Sequence, residues 1–142
     1  MSNHQYSMLP LSLHTHVHEI DTEHNELFEF LESFKEYCFD STPMPQLKRD
    51  TLHQMLESHF ETEAHLAEIA GLNFSYHEAA HDNMLDMVMR SLNQMSSKNS
   101  DLYSLIRYIG YWFEKHILSF DIQLARNILG AHYPAPQIAL QS

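Results

Sequence analysis

The sequence predicts an all-α chain, an antiparallel up-down-up-down four-helix bundle with an N-terminal arm. Three observations carry that expectation. Hydrophobic residues make up 44% of the 142 positions, and only three glycines interrupt long runs free of Gly and Pro. Apolar residues recur every three or four positions in four separate stretches, the period of an amphipathic helix. The breaks between those stretches carry Pro, Gly or clusters of Ser and Asn, the chemistry of turns. A chain of this length is most simply one domain with a core of its own.

Residues 1–19 hold no sustained helical period and read as a polar, His-rich arm. His14, His16 and His18 stand two apart, and an arm packed along the bundle or partly disordered explains them better than a metal site. The bundle is expected over residues 20–130. Its first helix starts near Asp21, an acceptable N-cap, and runs to about Phe39. Ile20, His24, Leu27, Phe28, Leu31, Phe34 and Cys38 form one stripe along it. The loop DSTPMPQ at 40–46 carries two prolines, the second suited to opening a second helix, from about Gln46 to Ala70. There Leu52, Leu56, His59, Glu63, Leu66 and Ala70 share a face. Gly71 stops this helix, and Asn73 or Ser75 caps a third over roughly Phe74–Met95. Phe74, His77, His81, Met84, Leu85 and Val88 point inward on it, the methionines being adaptable core filler. SSKNSD at 96–101 reads as a loop. The fourth helix covers about Asp101–Leu129, with Leu105, Ile109, Trp112, Phe113, His116 and Phe120 inward and Gly130 just past its end. Residues 131–142 read as a tail or linker, beyond which a signalling output domain can follow.

Eight Lys and Arg against 19 Asp and Glu leave a net charge of −11. Such a surface repels nucleic acid and anionic lipid, so neither is an expected partner. No run of 18 uncharged apolar residues is present to span a membrane. The N-terminus lacks the basic and apolar regions of a secretory signal. The single cysteine, Cys38, excludes an intramolecular disulfide and points to the reducing cytoplasm. The anomaly is 12 histidines, far more than packing requires.

Some of those histidines fall into a pattern. His59 and Glu63 stand four apart, as do His77 and His81, so each pair lies on one helix face. An imidazole and a carboxylate on a buried face are costly unless paired or metal-bound. In an up-down-up-down bundle, the start of helix one, the end of two, the start of three and the end of four meet. His24, His59, Glu63, His77, His81, His116 and Asp121 then converge at one depth. Asp121 follows His116 by five residues, about 140° around an ideal α-helix, so it joins only through a π-type widening. His53 and His65, six residues either side of His59, face solvent. Five imidazoles and two carboxylates exceed one tetrahedral zinc and suit two metal ions bridged by carboxylates, with one coordination place open. Thiolate-free ligation of this kind fits iron, zinc or others.

Four motifs, IDTEHNELF around His24, HFETE at His59 and Glu63, HEAAH at His77 and His81, and HILSFD at His116 and Asp121, carry a resemblance to the bacterial hemerythrins over about residues 18–130. The resemblance implies a four-helix bundle with a non-haem centre of two iron ions. It implies His77, His81 and His116 on one iron, His24 and His59 on the other, and Glu63 and Asp121 bridging. It further implies a non-enzymatic protein that binds dioxygen, or another small diatomic or anionic ligand, at the iron with two histidines. Carriage, storage or delivery of oxygen is the first functional expectation. The alternative is an input domain that senses oxygen, nitric oxide or redox state for a larger protein. The chain departs from the family at Leu72-Asn73, where a Tyr-Pro is usual, at Ala64, and in lacking the N-terminal tryptophan. Phe113 stands where a leucine usually lines the oxygen pocket.

Overall fold

The computed structural model describes residues 6–38, 44–94 and 99–132. The expected helix ends at Phe39 and Met95, residues 40–43 and 96–98 of the two loops, and the tail from 133 lie outside these residues. Among the described residues every regular element is a helix and none is a strand. A 3₁₀ turn, Leu11–Leu13, precedes α1 (His18–Ser33) and the short α2 (Lys35–Cys38). α3 spans Gln46–Ile69 and α4 spans Ser75–Gln94. α5 (Asn99–His116) passes through a π-helical turn, Ile117–Asp121, into α6 (Ile122–His132).

α1 begins at His18, three residues before the expected start at Asp21. Asp21 is not the cap. It sits in the first turn and reaches back, its Oδ1 accepting from the Thr15 N–H at 2.9 Å and the Thr15 hydroxyl at 2.8 Å. Its Oδ2 accepts from the His16 N–H at 3.1 Å. The carboxylate thus satisfies the incoming backbone and places negative charge where the helix dipole favours it. The expected single helix to Phe39 is in two pieces. The Phe34 N–H donates to the Leu31 carbonyl, three residues back, which tightens the turn and ends α1 at Ser33.

α3 ends as its glycine requires. Gly71 has φ +70, a left-handed conformation that costs glycine nothing. The Leu72 N–H donates to the Ala67 carbonyl and the Gly71 N–H to Glu68, the two bonds of a Schellman motif. Asn73 Oδ1 then accepts from the Ser75 N–H at 3.0 Å and starts α4. α5 begins at Asn99, so residues 99–101 of the expected loop are helical. Asn, Ser and Asp are the residues that helix starts favour. Gly130 lies inside α6, which runs to His132 instead of stopping at 129. No left-handed turn is formed there, since Gly71 is the only glycine with positive φ.

The core is stacked in layers. One apolar layer joins Leu31, Phe34, Leu52, Leu56, Val88, Leu92, Leu105 and Ile109. Another joins Val17, Ile20, Ala67, Leu124, Ala125 and Ile128. Along each helix a histidine or carboxylate falls between the two sets, and His24, His59, Glu63, His77, His81, His116 and Asp121 are all buried. Each fully buried Leu, Ile or Phe contributes about 1.5–3 kcal/mol, so the two apolar layers hold the polar one dry. A third, small cluster packs Leu9 and Leu13 on Ile117, in the π turn. No helix among the described residues is long and apolar enough to cross a membrane.

Candidate metal centre

The polar layer is assembled by register. His59 and Glu63 share a face of α3 by their four-residue spacing, and His77 and His81 share a face of α4. His116 closes α5. Asp121 reaches the same interior because the helix widens between them: the Ile122 N–H donates to the Ile117 carbonyl, five residues back. The wider turn brings Asp121 inward, and its carboxylate is fully buried.

Each carboxylate divides its two oxygens between two groups of imidazoles. Glu63 Oε1 stands 3.2 Å from His77 Nε2 and 3.1 Å from His81 Nε2. Its other oxygen, Oε2, stands 3.0 Å from His59 Nε2 and 3.4 Å from His24 Nε2. Asp121 repeats the division, with Oδ1 at 2.9 Å from His77 and 3.2 Å from His116, and Oδ2 at 3.0 Å from His24. Two donor sets result. Glu63, His77, His81, His116 and Asp121 surround one point; His24, His59, Glu63 and Asp121 surround a second. These are the only two such groups among the described residues.

Hydrogen bonding does not satisfy this layer. His24 Nδ1 and Nε2, His59 Nε2, and all four oxygens of Glu63 and Asp121 are buried with no hydrogen-bond partner, although charged atoms stand within 3.4 Å. The separations are short but the directions are wrong. His116 Nε2 lies 3.1 Å from both His77 Nε2 and His81 Nε2, and a single ring nitrogen can bond only one of them. Unpaired buried polar atoms each cost on the order of 1–3 kcal/mol. Lone pairs converging on two points, short of partners and rich in imidazole, fit metal ions. The donor set passes that test.

The surroundings hold the rings in place. Phe60 stacks on His81 at 3.8 Å, and His116 lies between Trp112 at 4.4 Å and Phe120 at 4.9 Å. Glu23 accepts from His59 Nδ1 at 2.8 Å and from the Thr62 hydroxyl at 2.9 Å. That bond puts the proton of a neutral His59 on Nδ1 and leaves Nε2 free to bind metal. Glu23 lies off the apolar stripe of α1, so helical periodicity does not mark it. Its signal was its place directly before His24, which turns it toward α3. Glu23→Gln keeps the shape but not the charge, and metal affinity should fall about 10–100-fold with helix content unchanged. A competition titration with a chelator measures it.

In the metal-free protein the layer is electrostatically coupled. Burial pushes His59 down, but the Glu63 charge and the Glu23 hydrogen bond carry it up to about 10. Burial likewise opposes His77, which Asp121 and Glu63 raise to about 9. His24 is raised against its burial by Asp121 and Glu63, whereas burial wins at His81 and lowers it. Burial opposes the charge on Glu63, yet His59 and His24 hold its pKa well below the usual range. Burial and Glu63 both work against Asp121, and His116, His24 and His77 more than offset them. A histidine with a raised folded pKa stabilises the fold fully below its unfolded value of 6.5 and loses that contribution as pH climbs to the folded value. Urea midpoints of the metal-free protein should therefore fall from pH 6.5 to about 10. The metal-loaded protein should not show that fall, because metal replaces the protons.

Other sequence candidates fall outside the layer. His53 is half-buried and His65 is exposed; neither joins a donor set. His14 Nε2 pairs with the Leu9 carbonyl at 3.2 Å, and His18 Nδ1 with the Tyr6 hydroxyl at 2.9 Å. Phe113 is 1% exposed, its ring centre 6.4 Å from that of His24, on the two-histidine side. Compared with known proteins, the chain matches no family model, no curated protein and no solved structure.

Proposed function

We propose that the buried layer holds two iron ions and binds dioxygen reversibly, in a protein of the hemerythrin kind that carries, stores or delivers oxygen without acting as an enzyme. On this reading the four long helices run up-down-up-down, with residues 6–17 as an arm against them. Pairing of early α1, late α3, early α4 and the α5–α6 junction at one depth supports that direction. The single observation that carries the proposal is the asymmetry of the two donor sets. His77, His81 and His116 crowd one point with both carboxylates, while only His24 and His59 join the same carboxylates at the other. The poorer set leaves room for an exogenous ligand. Iron, when bound, supplies the reversible electron donation that oxygen binding needs. The seven side chains would hold the ions, with Glu63 and Asp121 common to both donor sets, and their burial would limit water.

An oxidase of this architecture would want a further internal acid to move protons. The other buried carboxylate among the described residues, Asp21, is occupied by Thr15 and His16. Phe113 narrows the space beside His24, so Phe113→Leu should change the lifetime of the oxygen complex several-fold with iron content unchanged. Stopped-flow deoxygenation measures this, and unaltered kinetics would place the ring outside the pocket. Azide added to the oxidised iron protein should give a saturable visible band. A filled shell with no response to azide would leave only a structural metal bundle.

One contact favours a second reading, an oxygen, nitric oxide or redox sensor. Leu9 and Leu13 pack on Ile117, between His116 and Asp121. A shift of those two residues would be felt by the segment 6–17, and a cytoplasmic output domain could read it.

A further inference from the structure

One surface cavity differs in kind from its neighbours. It occupies about 250 Å³ between the start of α4, the π turn and α6. Ten residues line it, and none is Asp, Glu, Lys or Arg. Three other grooves each carry at least two formal charges: Glu32, Lys35, Arg107 and Glu114 in one, Glu23 and Glu26 in a second, Glu57, Glu61, Glu78 and Asp82 in a third. In a chain with net charge −11, a lining without Asp, Glu, Lys or Arg, its one imidazole paired inward with Glu63 and Asp121, disfavours ions and favours a neutral occupant.

The lining also has a shape. Phe74 and Phe120 lie against the His77 ring, at 4.5 and 5.1 Å between ring centres, and all three line the cavity. Phe74 and Phe120 are only partly buried, and an aromatic ring with exposed surface can take a flat ligand by stacking or edge contact. Ser119, Gln123 and Asn127 supply hydroxyl and amide donors along α6 and the π turn. The Gln123 side chain reaches only Asn127, at 3.4 Å, so donor capacity remains for a ligand. Among the five imidazoles of the polar layer His77 is the most exposed, at 7%.

We propose that this cavity binds a small, uncharged, planar molecule whose conjugated ring bears carbonyl oxygens, the chemistry of a 1,4-quinone. Its ring lies on Phe74 and Phe120 against the outer edge of His77, and its carbonyls accept from the Gln123 and Asn127 amides. The site stands whether or not the polar layer holds iron, because none of its binding groups is a metal.

Equilibrium dialysis of the full chain as isolated, with duroquinone as the probe, tests this. One saturable site is expected. Gln123→Glu and Asn127→Asp each place a charge on the rim with almost no change of shape, and each should weaken binding roughly tenfold or more. Arg107→Glu, a larger change toward negative charge in the groove between α1 and α5, should leave affinity unchanged. Circular dichroism confirms that the variants keep their helices. Absence of saturable binding, wild-type affinity in both rim variants, or loss of binding in Arg107→Glu would each overturn the proposal.

Discussion

Glu63→Ala is expected to take the protein from two metal ions per chain to fewer than one, and to lower its stability by about 3–5 kcal/mol. Glu63 is fully buried, and its two oxygens face four imidazole nitrogens within 3.4 Å. Removing it deletes a donor from both sets at once and strips negative charge from a layer proposed to hold two cations. His59 suffers most, since Glu63 is the only carboxylate its Nε2 meets. Glu63→Gln separates the two effects. It keeps the volume, so the helices should persist, but a neutral amide bridges cations poorly and metal should still be lost. Metal analysis beside thermal melting reads both; a Glu63→Ala protein that keeps two metals would remove Glu63 from the centre.

His24→Ala should behave differently, leaving about one metal ion per chain. The imidazole belongs to the poorer set alone, which would then hold His59, Glu63 and Asp121. The richer set keeps all five of its members. Two of its three imidazoles are braced by stacking, His81 on Phe60 and His116 on Trp112 and Phe120, contacts that His24→Ala does not touch. Loss of both ions would show that the two points load only together, and retention of both would place His24 outside the ligand shell.

How far the sequence foretold this arrangement depended on the kind of signal. The His59–Glu63 and His77–His81 pairs were legible because four-residue spacing is a property of the helix itself. Asp121 was legible only conditionally: five residues from His116 is out of phase on an α-helix, and the π turn at Ile117–Asp121 is what brings it inside. Asp21 misled, because a carboxylate near a helix start can cap the helix or, as here, reach back to Thr15 and His16. Gly130 misled for a similar reason, since glycine permits a left-handed turn without requiring one. Glu23 was hidden because its bond to His59 crosses between helices, and no periodicity within one helix reports a partner on another. The uncharged cavity beside His77 was hidden for the same reason, being built from residues about 45 positions apart on α4 and the α5–α6 rod.

The central claim is a pair of iron ions that takes up dioxygen and gives it back. Metal content together with the absorption spectrum of the reduced protein, before and after exposure to air and again after removal of oxygen, tests it most directly. The account predicts two irons per chain and a visible band that appears in air and disappears when oxygen is withdrawn. A protein that holds no iron, or that holds it without any spectral response to air, would contradict the account; immediate, irreversible conversion to the ferric form would reject carriage in favour of sensing.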